Sequence, residues 1–241
     1  MKSNKTARKL LYLVTALAVV CILFFAYYLF AYIQRTAHTA EIQRQSEIIS
    51  EISRLYQDVV QTARDLLNND EIVAHIYIPG TSINYAVVHG VDNEFYLYHD
   101  VLRKPNSNGS IFLDYLNSPC FTDISTILYG HNMENGTMFH DLGLFKEKEF
   151  FEENESIFVT TLYETLHYEI FAVFTTHVNF NYIIVDFADY YEFLNLVYEM
   201  KDRAAHLRDV TITENDKILI LSTCTAIGRT GRIVVVGRLK F

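Results

Sequence analysis

Apolar and polar positions divide this chain into three stretches of different period. Leu10–Ile33 is an unbroken apolar run of 24 residues without a charge, long enough to cross a bilayer as a helix. From Glu41 to Asn69 apolar or small residues recur at Ile42, Ile49, Ile52, Tyr56, Val59, Ala63 and Leu66, spacings of three, four and seven that predict a helix. Asn68-Asn69-Asp70 ends it. Beyond residue 71 the runs shorten and fill with Val, Ile, Tyr and Phe. They predict strands over Ile72–Ile78 and Ile83–Val88 about a Pro79-Gly80 turn, then Ser110–Asp114 and Thr126–Tyr129. A hairpin follows over Ile157–Thr161 and Leu166–His177, and two last strands over Lys217–Thr223 and Arg232–Leu239. Asp92–His99 reads as a short helix or irregular chain and Met138–Phe151 as short helices. Asp186–Leu207 is the one clear helix of the domain, with Phe187, Tyr190, Tyr191, Leu194, Val197, Tyr198 and Met200 on its apolar side. Short strands without βαβ alternation predict a mainly β domain, a closed barrel or a sandwich.

Composition sharpens this picture in three places. Half of the 241 residues are hydrophobic, ample for one packed core. The 17 Tyr and 17 Phe favour strands. A net charge of −9 argues against a nucleic-acid partner. The three cysteines form neither a disulfide framework nor a metal-ligand spacing, and there is no Gly-rich phosphate loop, so no cofactor or metal is expected. Cys21 lies in the apolar run. Cys120 and Cys224 lie after it, and a bridge between them is the minor reading.

Charge around the first run sets a topology. Lys2, Lys5, Arg8 and Lys9 precede it and Arg35 alone follows closely, so the positive-inside rule puts the N-terminus in the cytoplasm and the rest outside. A cleaved signal peptide would have a shorter apolar region and a better cleavage site than Thr36–Ala40. The expected organisation is a cytoplasmic N-terminus over 1–9, a transmembrane anchor over 10–33, a helical stalk over 34–71 and a catalytic domain over 72–241.

The candidate chemistry sits at strand ends. His131 follows Gly130 where the run Thr126–Tyr129 stops, Cys224 ends the run from Lys217, and Arg232 opens the last strand. Singly, each has an ordinary structural role: a small core residue, a solvated loop residue, a surface charge. Together they make a constellation for thiol acyl transfer. A thiolate is the nucleophile, an imidazole the acid and base, and a guanidinium the holder of a substrate carbonyl or oxyanion.

TILYGHNMENGTMFHDLGLF, residues 126–145, resembles the histidine segment of sortases, and LSTC (221–224) with RIVVVGRL (232–239) resembles their cysteine and arginine strands. Asn132-Met133, Thr137-Met138-Phe139, SIFLDY (110–115), INYAVV (83–88) and the late helix resemble class B. The resemblance implies an eight-stranded β-barrel with an N-terminal helix and one long helix between late strands. It implies a membrane-anchored cysteine transpeptidase of a Gram-positive cell wall. Such an enzyme cuts a C-terminal sorting signal after Thr and joins the Thr carboxyl to an amine of a peptidoglycan precursor or a pilin. Carried over by position, Cys224 is the nucleophile, His131 the proton carrier and Arg232 the orienting cation. Asn93, Leu97, Tyr182, Ile183 and Ser222 match substrate-groove positions. Thr225 stands where some class B members carry an acid, and Arg229 is a second arginine in the Cys–Arg loop. The lack of an Asp-Pro-aromatic lid motif argues against a pilin-polymerising type. An L,D-transpeptidase would carry Gly before the cysteine and Arg two residues after it, where this chain has Thr223 and Ala226; papain-like enzymes reverse the Cys and His order. A membrane-tethered binding module without activity is the non-enzymatic alternative.

The topology has a direct test. Protease added to intact protoplasts should digest residues 34–241, and protection of that region would defeat the anchored, outward-facing arrangement.

Overall fold

The structure is a computed structural model that describes residues 24, 25, 27–30, 32–34, 59–224 and 231–240. The chain forms two compact units, Met1–Ile52 and Ser53–Phe241. In the first, the described residues are helical and exposed. Among the described residues no helix is long and apolar enough to cross a membrane. Most of the expected span and the stalk as far as residue 58 lie outside them.

The second unit opens with a helix over residues 59–67. Val60 is buried, and Ala63 and Leu67 pack against Ile72, Val88, Tyr96 and Phe112. The helix stops because Asn68 takes a left-handed conformation (φ 48°), a conformation asparagine tolerates better than most residues. The Asn69 amide then donates back to the Arg64 carbonyl at 3.1 Å, the closing bond of a helix C-terminus.

Among the described residues nine strands follow: β1 (Ile72–Tyr77), β2 (Asn84–His89), β3 (Ile111–Leu113), β4 (Ser125–Tyr129), β5 (Ser156–Thr161), β6 (Thr165–His177), β7 (His206–Leu207), β8 (Ile218–Cys224) and β9 (Gly231–Leu239). They join in the order β5-β1-β2-β3-β4-β8-β9-β6, and β5 also pairs with β6, so eight strands close into a barrel. Closure leaves no open edge among those eight. Most neighbours are antiparallel, but β2–β3 and β4–β8 are parallel. The 13-residue β6 carries the seam. Its first half pairs with β5, its register shifts between Ile170 and Ala172, and Ala172 and Val173 then pair with β7. A bulge of this kind bends a strand and redirects its pairing.

The apolar runs of β4, β8 and β9 lack polar alternation because both faces are covered. Leu128, Leu219, Leu221, Ile233 and Val235 point into the barrel, with Ile76, Val87, Phe139 and Phe145. Their neighbours Ile127, Ile218, Ile220, Val234 and Val236 point outward, under Phe193, Leu196, Val197 and Met200 of the long helix Tyr190–Arg203. Each such fully buried large side chain contributes about 1.5–3 kcal/mol.

The predicted strands are all present within a residue or so of their ends. Met138–Phe151 resolves into a 3₁₀ turn, His140–Lys146, and a short helix, Lys148–Glu153. Asp92–His99 contains a 3₁₀ turn, Phe95–Leu97. The long helix is shorter than the expected Asp186–Leu207. Asp189 caps it by accepting the Glu192 amide, and His206 and Leu207 leave it to form β7. Its apolar face is also turned from the expected one, with Tyr191 and Tyr198 exposed and Phe193 and Leu196 buried. Tyrosines bury as readily as they stay exposed, so their periodicity is an ambiguous guide.

Candidate active site

The site is a consequence of register. β4 and β8 run parallel with Tyr129 opposite Ser222, and the Gly130 amide continues the ladder to the Ser222 carbonyl at 3.3 Å. His131 lies two residues beyond Tyr129, and Cys224 two beyond Ser222. On the other side of β8, the antiparallel ladder sets Cys224 directly opposite Arg232. Facing residues in adjacent strands share one side of the sheet, and Tyr129, His131, Ser222 and Arg232 line one cleft at this end; Cys224 holds the backbone position opposite Arg232. That face is the outer one, which farther along the same strands is covered by the long helix. Gly130 lets the chain leave β4 close against the barrel core: a Cβ there would lie 2.4 Å from Ile111 Cδ1 and 2.9 Å from the Phe139 ring.

Where the cover ends, a cleft of about 640 Å³ opens, lined by Asn93, Leu97, Tyr98, Phe112, Tyr129, Gly130, His131, Ile183, Ser222, Thr223 and Arg232. One wall is the turn around Phe95–Leu97. Ile183, in the segment that leads to the long helix, also lines the cleft. Arg203 of that helix stacks on Phe180 at 3.9 Å, and Phe180 packs against Tyr182, which steadies the wall. The cleft is apolar with a few converging polar groups, the usual make-up of a ligand site.

His131 is half-buried, and its Nε2 lies 2.8 Å from the Leu97 carbonyl. A carbonyl only accepts, so Nε2 carries the hydrogen and Nδ1 is the nitrogen that can exchange a proton. Arg232 donates from Nη1 to the Gly231 carbonyl at 3.0 Å.

Beneath the cleft lies a buried carboxylate, Asp114, just past the end of β3. It accepts from the Tyr129 hydroxyl at 2.8 Å and from Asn93 Nδ2 at 2.9 Å. Asn93 in turn accepts the Tyr115 amide at 3.0 Å. Burial, and then the Asp114 charge, push the Tyr129 phenol well above its ordinary pKa. Ser222 hydrogen-bonds the Tyr182 hydroxyl at 2.7 Å.

The structure therefore brings His131, Arg232, Asn93, Leu97, Ile183 and Ser222 to one cleft, with Cys224 in register at its end. Tyr182 does not line it; it is buried behind Ser222. Thr225 and Arg229 lie outside the described residues. Sequence reasoning passed over Tyr129, Tyr98, Phe112 and Asp114. Strand period pointed to Tyr129, two residues before His131 and so on the same face. For Asp114 the signal was an acid closing the apolar SIFLDY run. Among the described residues no group of His, Cys, Asp and Glu is arranged to hold a metal ion.

The family described as "Sortase domain" matches residues 76–240. The chain is 34% identical to sortase B of Listeria monocytogenes over 185 residues, covering 76% of this chain and 75% of that protein. It is 32% identical to sortase B of Staphylococcus aureus over 240 residues, covering 96% and 97%. The crystal structure of Clostridium perfringens sortase B superposes with a TM-score of 0.70 at 30% identity, over 75% of this chain and 99% of that one.

Tyr129 supplies a pH test. The native state keeps its proton above pH 10.0, the ordinary tyrosine pKa, where the unfolded chain releases it. Stability contributed by the protonated phenol is complete below that pH and is lost as pH rises. Urea unfolding from pH 8 to 11 should show a shallower alkaline decline for Tyr129→Phe than for the wild type. At pH 8 the variant should be about 1–3 kcal/mol less stable, because Asp114 loses a buried donor. Equal slopes would mean that Tyr129 does not hold its proton in the native state.

Proposed function

Because this chain belongs to the sortase family of cysteine transpeptidases, we propose that it is a class B-like enzyme held at the outer face of the cell membrane. It cleaves the C-terminal sorting signal of secreted proteins after Thr and transfers them to an amine of a peptidoglycan precursor. The observation that supports this reading is the register that sets Cys224 opposite Arg232, beside a cleft that His131 and Arg232 line.

The chemistry follows from the groups. The Cys224 thiolate adds to the Thr carbonyl carbon, and the electron pair of the C=O moves to oxygen. Arg232, with a fixed positive charge and a planar fork of donors, faces that oxyanion. When the pair returns, the C–N bond breaks and the leaving amine takes a proton from Nδ1 of the His131 imidazolium. A thioester to Cys224 remains. The incoming amine adds to the same carbonyl and gives its proton back to Nδ1. The C–S bond then breaks, releasing an amide and restoring the thiolate. Asn93, with one amide hydrogen held by Asp114, has a second to offer the peptide backbone. Leu97 and Ile183 supply apolar walls, and Ser222 lies beneath the bound signal.

Turnover of one sorting peptide by five variants of the full chain tests the assignment, with folding checked by circular dichroism. Cys224→Ala and His131→Ala should lose nearly all activity, and Cys224→Ser should be almost as poor. Arg232→Lys keeps the charge but loses the fork and should fall about 10²-fold or more, as for a missing oxyanion donor. Arg229→Ala should change little. An inactive Arg229→Ala beside an active Arg232→Lys would reverse the arginine assignment.

A further inference from the structure

The imidazole of His131 is oriented by a backbone carbonyl, and that carbonyl is itself held from behind. Leu97 O accepts from Nε2 at 2.8 Å. Gly109 packs against the same peptide, in a left-handed conformation (φ 60°). A Cβ at Gly109 would stand 2.6 Å from Leu97 O, 2.7 Å from Tyr96 O and 3.0 Å from Leu97 C, distances that backbone atoms cannot accept without moving. The turn that carries Gly109 also grips the carbonyls on either side. The Ser110 amide donates to Tyr96 O at 2.9 Å and the Asn106 amide to Tyr98 O at 2.8 Å. From below, the fully buried Tyr96 donates its hydroxyl to Glu71 and accepts from Asn69 Nδ2 at 3.2 Å. Glu71 is paired with Arg103 at 3.1 Å.

We propose that Gly109 is a positioning residue for His131, acting through the Leu97 carbonyl to fix the imidazole in the Nε2–H tautomer. The physical advantage lies in the proton cycle. Nε2 bears a hydrogen in both the neutral ring and the imidazolium. The bond to Leu97 therefore persists while Nδ1 gains and loses its proton, and the ring need not turn between the two half-reactions. Displacing the carbonyl releases the ring to rotate and to populate the Nδ1–H tautomer, in which the nitrogen facing the reaction already carries a hydrogen. Only glycine combines the left-handed turn with the close approach. The catalytic part of this inference rests on the transpeptidase reading; the orientation of the ring does not.

The test uses the full chain in detergent with ring-¹⁵N histidine, the His131 signals being assigned from their loss in His131→Gln. At a pH where the ring is neutral, the wild type should give the nitrogen shifts of a single Nε2–H tautomer. Gly109→Ala should give shifts averaged toward the other tautomer and a kcat lower by about 10²-fold, the scale of a misplaced catalytic group, with KM little changed. Gly80→Ala is the matched control. It also replaces a left-handed glycine (φ 77°) but meets only the Asn154 side chain, and it should keep the wild-type tautomer. Tyr96→Phe preserves the packing, loosens the anchor and should shift the tautomer partway; it decides the matter if Gly109→Ala does not fold. Wild-type nitrogen shifts in whichever of the two variants folds would overturn the proposal. A shifted tautomer in a protein whose wild type cuts no sorting peptide would overturn the transpeptidase reading and leave the positioning intact.

Discussion

The placement of Ser222 and Arg232, and of Cys224 along the backbone, depends on the pairing register of three adjacent strands. Sliding β8 by one residue against β4 would turn Ser222 from the outer face into the barrel, because side chains alternate along a strand. The slip is prevented by burial on both faces. Leu219 and Leu221 fill the interior while Ile218 and Ile220 meet the outer helix layer. A core with apolar residues on both sides tolerates a slip in hydrophobicity but not in shape, since close packing distinguishes these side chains. At the strand ends the specification passes to polar groups, and there the hydrogen bonds between Ser222 and Tyr182 and between Tyr129 and Asp114 hold the register open onto the cleft.

The layered cover also explains why the cleft lies where it does. The long helix and the segment before it cover the outer face of β4, β8 and β9 along most of their length and end at Ile183. Beyond that point, among the described residues, the helix layer no longer covers this face, and the 3₁₀ turn at Phe95–Leu97 adds lining residues. The cleft is thus the uncovered end of an otherwise buried surface. Its lining is apolar for the same reason the core is, and its polar groups are few and individually held. A rigid scaffold with a short uncovered edge is where a protein can keep catalytic side chains in fixed geometry.

Much of this was legible in the chain. Apolar runs bounded by turn residues located the eight barrel strands, and two of the three candidate groups stand beside glycines at run ends. The closed barrel, rather than a sandwich, followed from resemblance to sortases and is borne out by the pairing of β5 with β6. What the pattern did not carry has physical reasons. β7 is only two residues long and owes its strand geometry to the bulge in β6. The helix boundaries at Asp189 and Ala204 depend on one cap and on a tertiary pairing. The rotation of the helix face arose from tyrosines that read as apolar yet remain in solvent at positions 191 and 198. The Leu97 carbonyl was invisible because a main-chain group has no residue type. Leu97 was expected as a wall for substrate, and it also holds His131. Tyr182 was expected in the groove and instead supports Ser222 from behind.

The central claim is that acyl transfer runs through Cys224 at the register point opposite Arg232. The most direct measurement is to mix the full chain with a sorting peptide in the absence of amine acceptor, quench in acid within the first turnover, digest, and read the masses of the cysteine-containing fragments. The account predicts a fragment containing Cys224 heavier by the acyl portion of the peptide ending in Thr, and an unmodified fragment containing Cys120. Peptide cleavage without an adduct, or an adduct carried by Cys120, would contradict it.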